Sequence, residues 1–246
     1  MNIITSKANN VVKKAKKLHQ KKYRQNSYLI EGWHLFEEAV TSGATILQIF
    51  ALEKFADRLI GFSQVSFVSS EILVDLADSK TPQGIVAEIA YEEIAFPQNL
   101  SGIYLFLEDV QDPGNVGTII RTADAAGLDG VFISTGSADI YNLKTLRSMQ
   151  GSHFHIPIYR LGTSELIDLA QKNELPILAS SLSKKSVNYK EVNSSSSFIL
   201  VVGNEGKGIS EQMEKEANQL LHIPMKGRSE SLNVAVATGI LIFSLC

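Results

Sequence analysis

Apolar residues recur along this chain at two periods. Runs of strand length occur at 28–31, 46–51, 65–68, 84–89, 103–107, 131–134, 155–159, 177–180, 198–202 and 219–223. Segments of helical spacing at 33–41, 116–126, 164–171 and 231–245 lie between or after them. Strands separated by helices pair in parallel through crossovers, so the pattern predicts an α/β fold with a mostly parallel sheet. The stretch 91–102 contains Pro97, Gln98, Asn99 and Gly102 and keeps no period. It divides the chain into a first domain at 1–95 and a second at 96–246. The serine run at 194–197 reads as a loop before a strand. The densest apolar stretch, 232–245, is shorter than the ~18 residues of a membrane span. With Asn233, Thr238, Gly239 and Ser244 inside it, it reads as a buried helix.

Composition adds two exclusions. At 246 residues, 44% hydrophobic and 20% charged, the chain is neither disordered nor a disulfide scaffold, and it closes a core without a metal. A single cysteine, Cys246, forms no internal bridge. With no charged-then-apolar leader in MNIITSKANN, the expectation is a cytoplasmic protein without a membrane partner. The formal net charge of -3 hides a segregation: residues 1–30 hold eight Lys and Arg and no acid, leaving 15 basic and 26 acidic residues beyond. Such asymmetry suits a polyanion partner, and equally a solvated lysine-rich helix. The pattern alone leaves both open.

Three loops in the second domain follow strand-like runs, where parallel sheets place their ligands. The first is QDPGNVGTIIRTADAAG. Pro113 and Gly114 turn the chain and Asn115 is the expected helix cap. Val116, Ile119, Ile120, Ala123 and Ala126 share the core face. Arg121 projects from the opposite side between Thr118 and Ala125, small neighbours that let an anion approach; an ordinary solvated arginine fits as well. The second loop, Gly203-Asn204-Glu205-Gly206-Lys207-Gly208, has three glycines that permit close backbone approach. It is not a Walker A sequence, and no G-x-G-x-x-G occurs, so nucleotide hydrolysis and ordinary dinucleotide binding lose support. Glu205 is either a site carboxylate or a surface residue on a turn. The third loop, 223–233, enters the final apolar helix. An amide at Asn233 and a hydroxyl at Ser231, at the buried start of such a helix, need partners worth about 1–3 kcal/mol each, and capping by Ser231 would meet its need.

His153 and His155 would share one face of a strand, but with five scattered histidines and one cysteine a structural or surface role is favoured over a metal site. Trp33 and Phe36 read as core and not as a base-stacking platform.

The order NVGTIIRTADAAG, VVGNEGKGIS, IPMKGRSESLNVAVATGILIF resembles the three signature motifs of the SpoU/TrmH family of RNA ribose 2'-O-methyltransferases, and KTLRSMQGSHFHIPI resembles the family's connecting segment. The first 90 residues resemble the family's optional substrate-binding domain, similar to the L30e and L7Ae fold. The resemblance implies a parallel sheet threaded as a trefoil knot, a rare exception to ordinary connectivity. It also implies S-adenosylmethionine (S-adenosyl-L-methionine) held in a bent shape by the knotted loops. A homodimer through the C-terminal domain, with an active site using both subunits, follows from it as well. Position by position, Gly203, Ile223 and Leu232 match residues whose backbone holds the cofactor, with Met225 nearby. Asn115, Arg121, Glu205, Ser231 and Asn233 match catalytic and RNA-proximal positions. Methyl transfer to a ribose hydroxyl needs in-line alignment and removal of a proton. The resemblance makes Arg121 the base, whereas arginine chemistry favours an electrostatic clamp, and the sequence leaves the two open.

The reading is an RNA ribose 2'-O-methyltransferase acting on 23S rRNA in preference to tRNA. The alternatives are a tRNA enzyme, an RNA-binding relative without turnover, and a small-molecule enzyme with a nucleotide-like ligand. Salt-sensitive RNA binding separates the last from the rest. Within this reading Lys13, Lys14, Lys16, Lys17 and Arg24 form the electrostatic grip on RNA. Neutralising Lys13, Lys14, Lys16 and Lys17 together is expected to weaken RNA binding and flatten its salt dependence while leaving S-adenosylmethionine affinity unchanged. Unaltered RNA affinity would return the segment to a solvated helix.

Overall fold

In the computed structural model, which describes residues 3–91, 94–97, 99–192 and 196–246, every strand-length apolar run of the sequence overlaps a strand. The serine run at 194–197 and the aperiodic stretch at 91–102 fall partly outside the described residues. Backbone contacts divide the chain into two units, Met1–Glu93 with Asp139–Phe154, and Ile94–Ala138 with His155–Cys246.

The first unit opens with α1 (Asn10–Lys17), capped by the Asn9 side chain, which accepts from Val11 N–H. Val12 and Ala15 are buried on one side of α1 and its lysines are exposed on the other. Strands β1 (Ser27–Glu31), β2 (Ile46–Ala51), β3 (Val65–Phe67) and β4 (Ile85–Ala90) form a sheet in the order β1-β4-β2-β3, with α2 (Trp33–Thr41) and α3 (Ser70–Leu76) between them in sequence. β4 runs antiparallel to β1 and β2, and β3 runs parallel to β2. Leu29, Phe50, Val68, Ile72, Leu76 and Val86 pack with Val12 and Leu18 into one core. Phe36 is buried as expected. Trp33 is only half-buried, its indole N–H donating to the Gln83 carbonyl while the Arg58 guanidinium lies 3.6 Å from its ring centre.

Leu143 joins the same core from a segment far along the chain. That segment is held by charge. The Glu31 side chain, 4% exposed, accepts from the backbone N–H groups of Asp78 and Ser79, from the Ser79 hydroxyl and from Arg147, whose other nitrogen reaches Asp78 at 2.8 Å. A buried carboxylate persists only with such a set of donors. Arg24, 7% exposed, pairs with Asp139 and donates to the Tyr141 carbonyl. This corrects the placement of Arg24 on the RNA-facing surface: its guanidinium is committed inside the unit. His153 is not on a strand either. It lies in the 3-10 turn Ser152–Phe154, 3.1 Å from the Tyr28 hydroxyl, and His155 precedes the strand that was expected to contain it.

The second unit carries β5 (Ile103–Leu107), α4 (Pro113–Ala125), β6 (Gly130–Ile133), β7 (Ile158–Arg160), α6 (Thr163–Lys172), β8 (Ile177–Ser180), β9 (Val187–Asn188), β10 (Phe198–Val202), α7 (Glu211–Glu216), β11 (Gln219–His222) and α8 (Val234–Leu245), while α5 (Leu143–Met149) lies in the first unit. Its seven strands pair in parallel in the order β7-β6-β5-β10-β8-β11-β9. All five residues of β10 are buried, as are four of the five in β5, which explains their unbroken apolar sequence: the central strands are covered on both faces. The chain builds outward from β5 through β6 to β7, then returns to β8, and β10 inserts beside β5. The order therefore reverses between β5 and β10, and the loops leaving their carboxyl ends lie side by side.

Candidate functional site

Directly after β5, the Glu108 carboxylate, 3% exposed, accepts from the hydroxyls of Thr163 and Ser210 and from the Ser210 N–H at 2.8 Å. Asp109 follows in the left-handed region at φ 57°, an unfavourable conformation for a residue other than glycine. It is held there because its N–H donates to the Ser134 hydroxyl at 2.8 Å and the same hydroxyl donates to its carboxylate at 2.6 Å. The Asp109 carbonyl then accepts from the Asn204 side chain at 2.9 Å, which ties the loop after β5 to the loop after β10.

Asn204 also shapes its own loop. Its side-chain oxygen accepts from Gly206 and Lys207 N–H groups, and its backbone exchanges both hydrogen bonds with Gly208 at 2.9 Å. A Cβ on Gly203 would sit 2.2 Å from the Gly208 carbonyl carbon, so only glycine fits where the backbone returns on itself. The turn presents Glu205 to the start of α4. One carboxylate oxygen accepts from Gln111 N–H at 3.2 Å; the other accepts from Asp112 N–H at 3.1 Å and from the Asn115 side chain at 3.0 Å. Burial alone would raise the Glu205 carboxyl, but the Asn115 amide and the N–H groups of Asp112, Glu205 and Gln111 outweigh it and hold it below the ordinary carboxylate range.

Asn115 is not the helix cap that the sequence suggested. Asp112 caps α4 by accepting from Asn115 N–H, with Pro113 at the first helical position. That frees the Asn115 amide to bridge: it donates to Glu205 and accepts from the Asn233 side chain at 3.0 Å. Asn233, in turn, caps α8 through Ala235 and Val236 N–H, so the helix begins at Val234, three residues after Ser231, and Ser231 is not its cap. Residues 231–233 are exposed, not buried, which is why their polar groups are tolerated. Ser231 stays outside the Glu205–Asn115–Asn233 chain; its carbonyl accepts from the Ser229 hydroxyl.

Arg121 projects from α4 as the pattern implied. Val116, Ile119, Ile120 and Ala123 are fully buried on the other face, whereas Ala126 is half-buried at the helix end. Thr118 and Ala125 beside Arg121 are exposed, and the guanidinium makes no hydrogen bond or ion pair among the described residues. Six residues of helix separate it from Asn115, roughly 9 Å along the axis.

Ile223 and Met225 are half-buried and Leu232 is 38% exposed, on a loop whose backbone N–H and C=O groups from Ile223 to Leu232 make no backbone–backbone hydrogen bond among the described residues. A cavity of about 230 Å³ lies beside this assembly, lined by Glu108, Asp109, Gln111, Asn204, Lys207 and Ser210, and by none of Gly203, Ile223, Met225 or Leu232. Glu108 and Asn204, which set the geometry of both loops, were not singled out from the sequence. The signal available for Glu108 was a carboxylate ending an otherwise wholly apolar strand.

Residues 102–243 match the SpoU rRNA methylase family, and residues 9–87 match the MRM3-like substrate-binding domain. Over its whole length the chain is 40% identical to the 23S rRNA (guanosine(2553)-2'-O)-methyltransferase RlmP of Bacillus subtilis, covering 99% of that protein. The structure is similar to that of an AdoMet-bound rRNA methyltransferase from Sinorhizobium meliloti, with a TM-score of 0.87 and 33% identity over 99% of this chain and 97% of that one. It is also similar to an RNA 2'-O ribose methyltransferase, with a TM-score of 0.83 and 28% identity over 99% and 98% of the two chains. With its three motif loops gathered at the carboxyl ends of a parallel sheet, and a family match running through all of them, this chain belongs to the SpoU rRNA methylase family.

Proposed function

We propose that this protein transfers a methyl group from S-adenosylmethionine to a ribose 2'-hydroxyl of 23S rRNA. The observation that carries the reading is the hydrogen-bond chain Glu205–Asn115–Asn233, which joins one residue from each motif loop. The full-length relative named for 2'-O-methylation of 23S rRNA supports the substrate.

The loop chemistry fits the cofactor. Its adenosyl part needs backbone donors and acceptors beside apolar surface, and the stretch 223–232, whose backbone makes no backbone–backbone hydrogen bond among the described residues, offers both together with the Met225 and Leu232 side chains. Gly203, Ile223 and Leu232 would hold it through their backbone. When bound, S-adenosylmethionine supplies a methyl group on a positively charged sulfur. The chain's own residues must then align the ribose hydroxyl and stabilise the charge that develops as its proton leaves. A guanidinium stays charged throughout the working pH range, so Arg121 acts as a clamp on a substrate phosphate or on the developing alkoxide. Glu205, Asn115 and Asn233 position the loops around it, and Ser231 contributes an RNA-facing hydroxyl.

The same reading extends to architecture. A trefoil knot accords with the family match over residues 102–243. The first unit's mixed sheet flanked by helices suits an L30e-like RNA-binding module, and the match to a substrate-binding domain supports that role. No described helix is long and apolar enough to cross a membrane, and a cytoplasmic site of action accords with an rRNA substrate. Homodimerisation is supported by α8, which packs on α4 through one side yet leaves Val236 53% and Phe243 66% exposed on a helix of apolar sequence.

Arg121→Ala is expected to lower methyl transfer by about 100- to 1,000-fold while S-adenosylmethionine affinity, measured by calorimetry, stays at the wild-type value. Wild-type turnover in that variant would remove Arg121 from the mechanism. Replacing Val236 and Phe243 with glutamate is expected to convert a dimer to monomer in sedimentation velocity and to abolish turnover without unfolding the chain. A wild-type chain that sediments as a monomer at micromolar concentration would contradict the two-subunit site.

A further inference from the structure

The basic segment at the start of the chain is not uniform. Lys7 and Lys16 both reach the Asp75 carboxylate, at 3.1 and 3.0 Å, and these contacts hold Asp75 below the ordinary carboxylate range. Arg24 is committed to Asp139. Lys13, Lys14, Lys17, Lys21 and Lys22 are exposed and meet no carboxylate among the described residues. Two of these five turn to an aromatic ring instead. The Lys22 ammonium lies 4.9 Å and the Lys17 ammonium 5.6 Å from the ring centre of Tyr23, which is itself 43% exposed.

Tyr23 is an unusual residue to leave in solvent between two cations, and its backbone is firmly set. It ends the 3-10 turn Lys21–Tyr23, its N–H donates to the Gln20 carbonyl at 3.0 Å, and the next residue is the buried Arg24, anchored on Asp139 and the Tyr141 carbonyl. On the other side His19 bonds the Leu76 carbonyl at 2.9 Å. A rigid backbone on both flanks means the ring is presented with little ordering cost on binding. Ammonium groups over an exposed ring are weakly held and exchange readily for a stronger anion.

We propose that Tyr23, with Lys17 and Lys22, is a stacking site for an unpaired nucleotide of the RNA substrate, the ring taking the base and the ammonium groups its flanking phosphates. The proposal rests on the reading of the chain as an RNA methyltransferase and narrows the substrate. A base paired within a helix hides both of its faces in the stack, so only a nucleotide in a loop, bulge or single strand can use the ring. The segment around Tyr23 has no acid from residue 1 to residue 30, which favours a polyanion over a basic or apolar partner.

The test uses the full chain and two fluorescein-labelled RNA probes, a single strand and a hairpin-free duplex of about 12 nucleotides, a length that stacking grooves cover. Tyr23→Ala is expected to weaken single-strand binding by about 5- to 100-fold, the range for loss of one base–aromatic stack, and to leave duplex binding unchanged. Tyr23→Phe should retain wild-type affinity. The slope of log K against log salt should be the same in both tyrosine variants, because stacking releases no counterions. Joint Lys17→Gln and Lys22→Gln substitution should reduce that slope by about 1.4, two phosphates at 0.7 each. Undiminished single-strand affinity in Tyr23→Ala, equal loss on both probes, or equal loss in the phenylalanine variant would overturn the stacking site. A wild-type chain that binds neither probe would overturn it together with the RNA reading on which it rests.

Discussion

An amide has one donating and one accepting end, and at Asn115 the two are used on different loops. Its nitrogen gives to Glu205 and its oxygen takes from Asn233, so one side chain closes a gap between the loop after β10 and the loop before α8 while standing at the head of α4. Neither contact is deeply buried, and a neutral hydrogen bond of this kind is worth on the order of 1 kcal/mol alone. The contact to a carboxylate is stronger, and Glu205 is kept charged by two further backbone donors. Linked donors and acceptors also polarise one another, so the three side chains act as a unit. Remove the amide and Glu205 keeps only backbone N–H donors, and the side-chain link from its loop to the head of α8 is lost.

This constraint works because the sheet has already brought the loops close. Parallel pairing of β5 with β10 places Leu107 beside Val202, and the chains leave the sheet side by side. Asp109 and Asn204 consolidate that meeting with a strained residue on one loop and a glycine-closed turn on the other. Arg121, projecting from the outer face of α4, then stands near a fixed frame without being part of it. A cation free of internal partners is the suitable group for charge that exists only on the substrate.

Most strands were legible because their apolar runs are long and their burial is complete; the sequence boundaries of β2, β5, β8 and β10 agree with the structure to the residue. Short amphipathic helices such as α3, α5 and α7 are too brief to show a period, and β9 has two residues. Asn115, Glu205 and Asn233 could be named from their motif, but their mutual geometry could not, since the partners are about 90 to 118 residues apart in sequence. The capping expectation at Asn115 failed because Asp112, three residues earlier, is an equally good cap, just as Asn233 and not Ser231 caps α8, and tertiary contacts decide which of two nearby candidates is free to do something else. Arg24 misled in a similar way, because a charge run in sequence does not reveal that one member finds a carboxylate 115 residues later.

If the three side chains form one working unit, their losses cannot be independent. The most direct measurement is a double-mutant cycle on kcat/KM for methyl transfer to deproteinised 23S rRNA, with Glu205→Gln and Asn233→Ser. The serine retains a cap for α8 while deleting the amide that meets Asn115. Communication through Asn115 predicts that the double variant loses little more than the worse single one, a coupling of about 1–3 kcal/mol. Losses that simply multiply would show that the loops are held independently and would contradict the account.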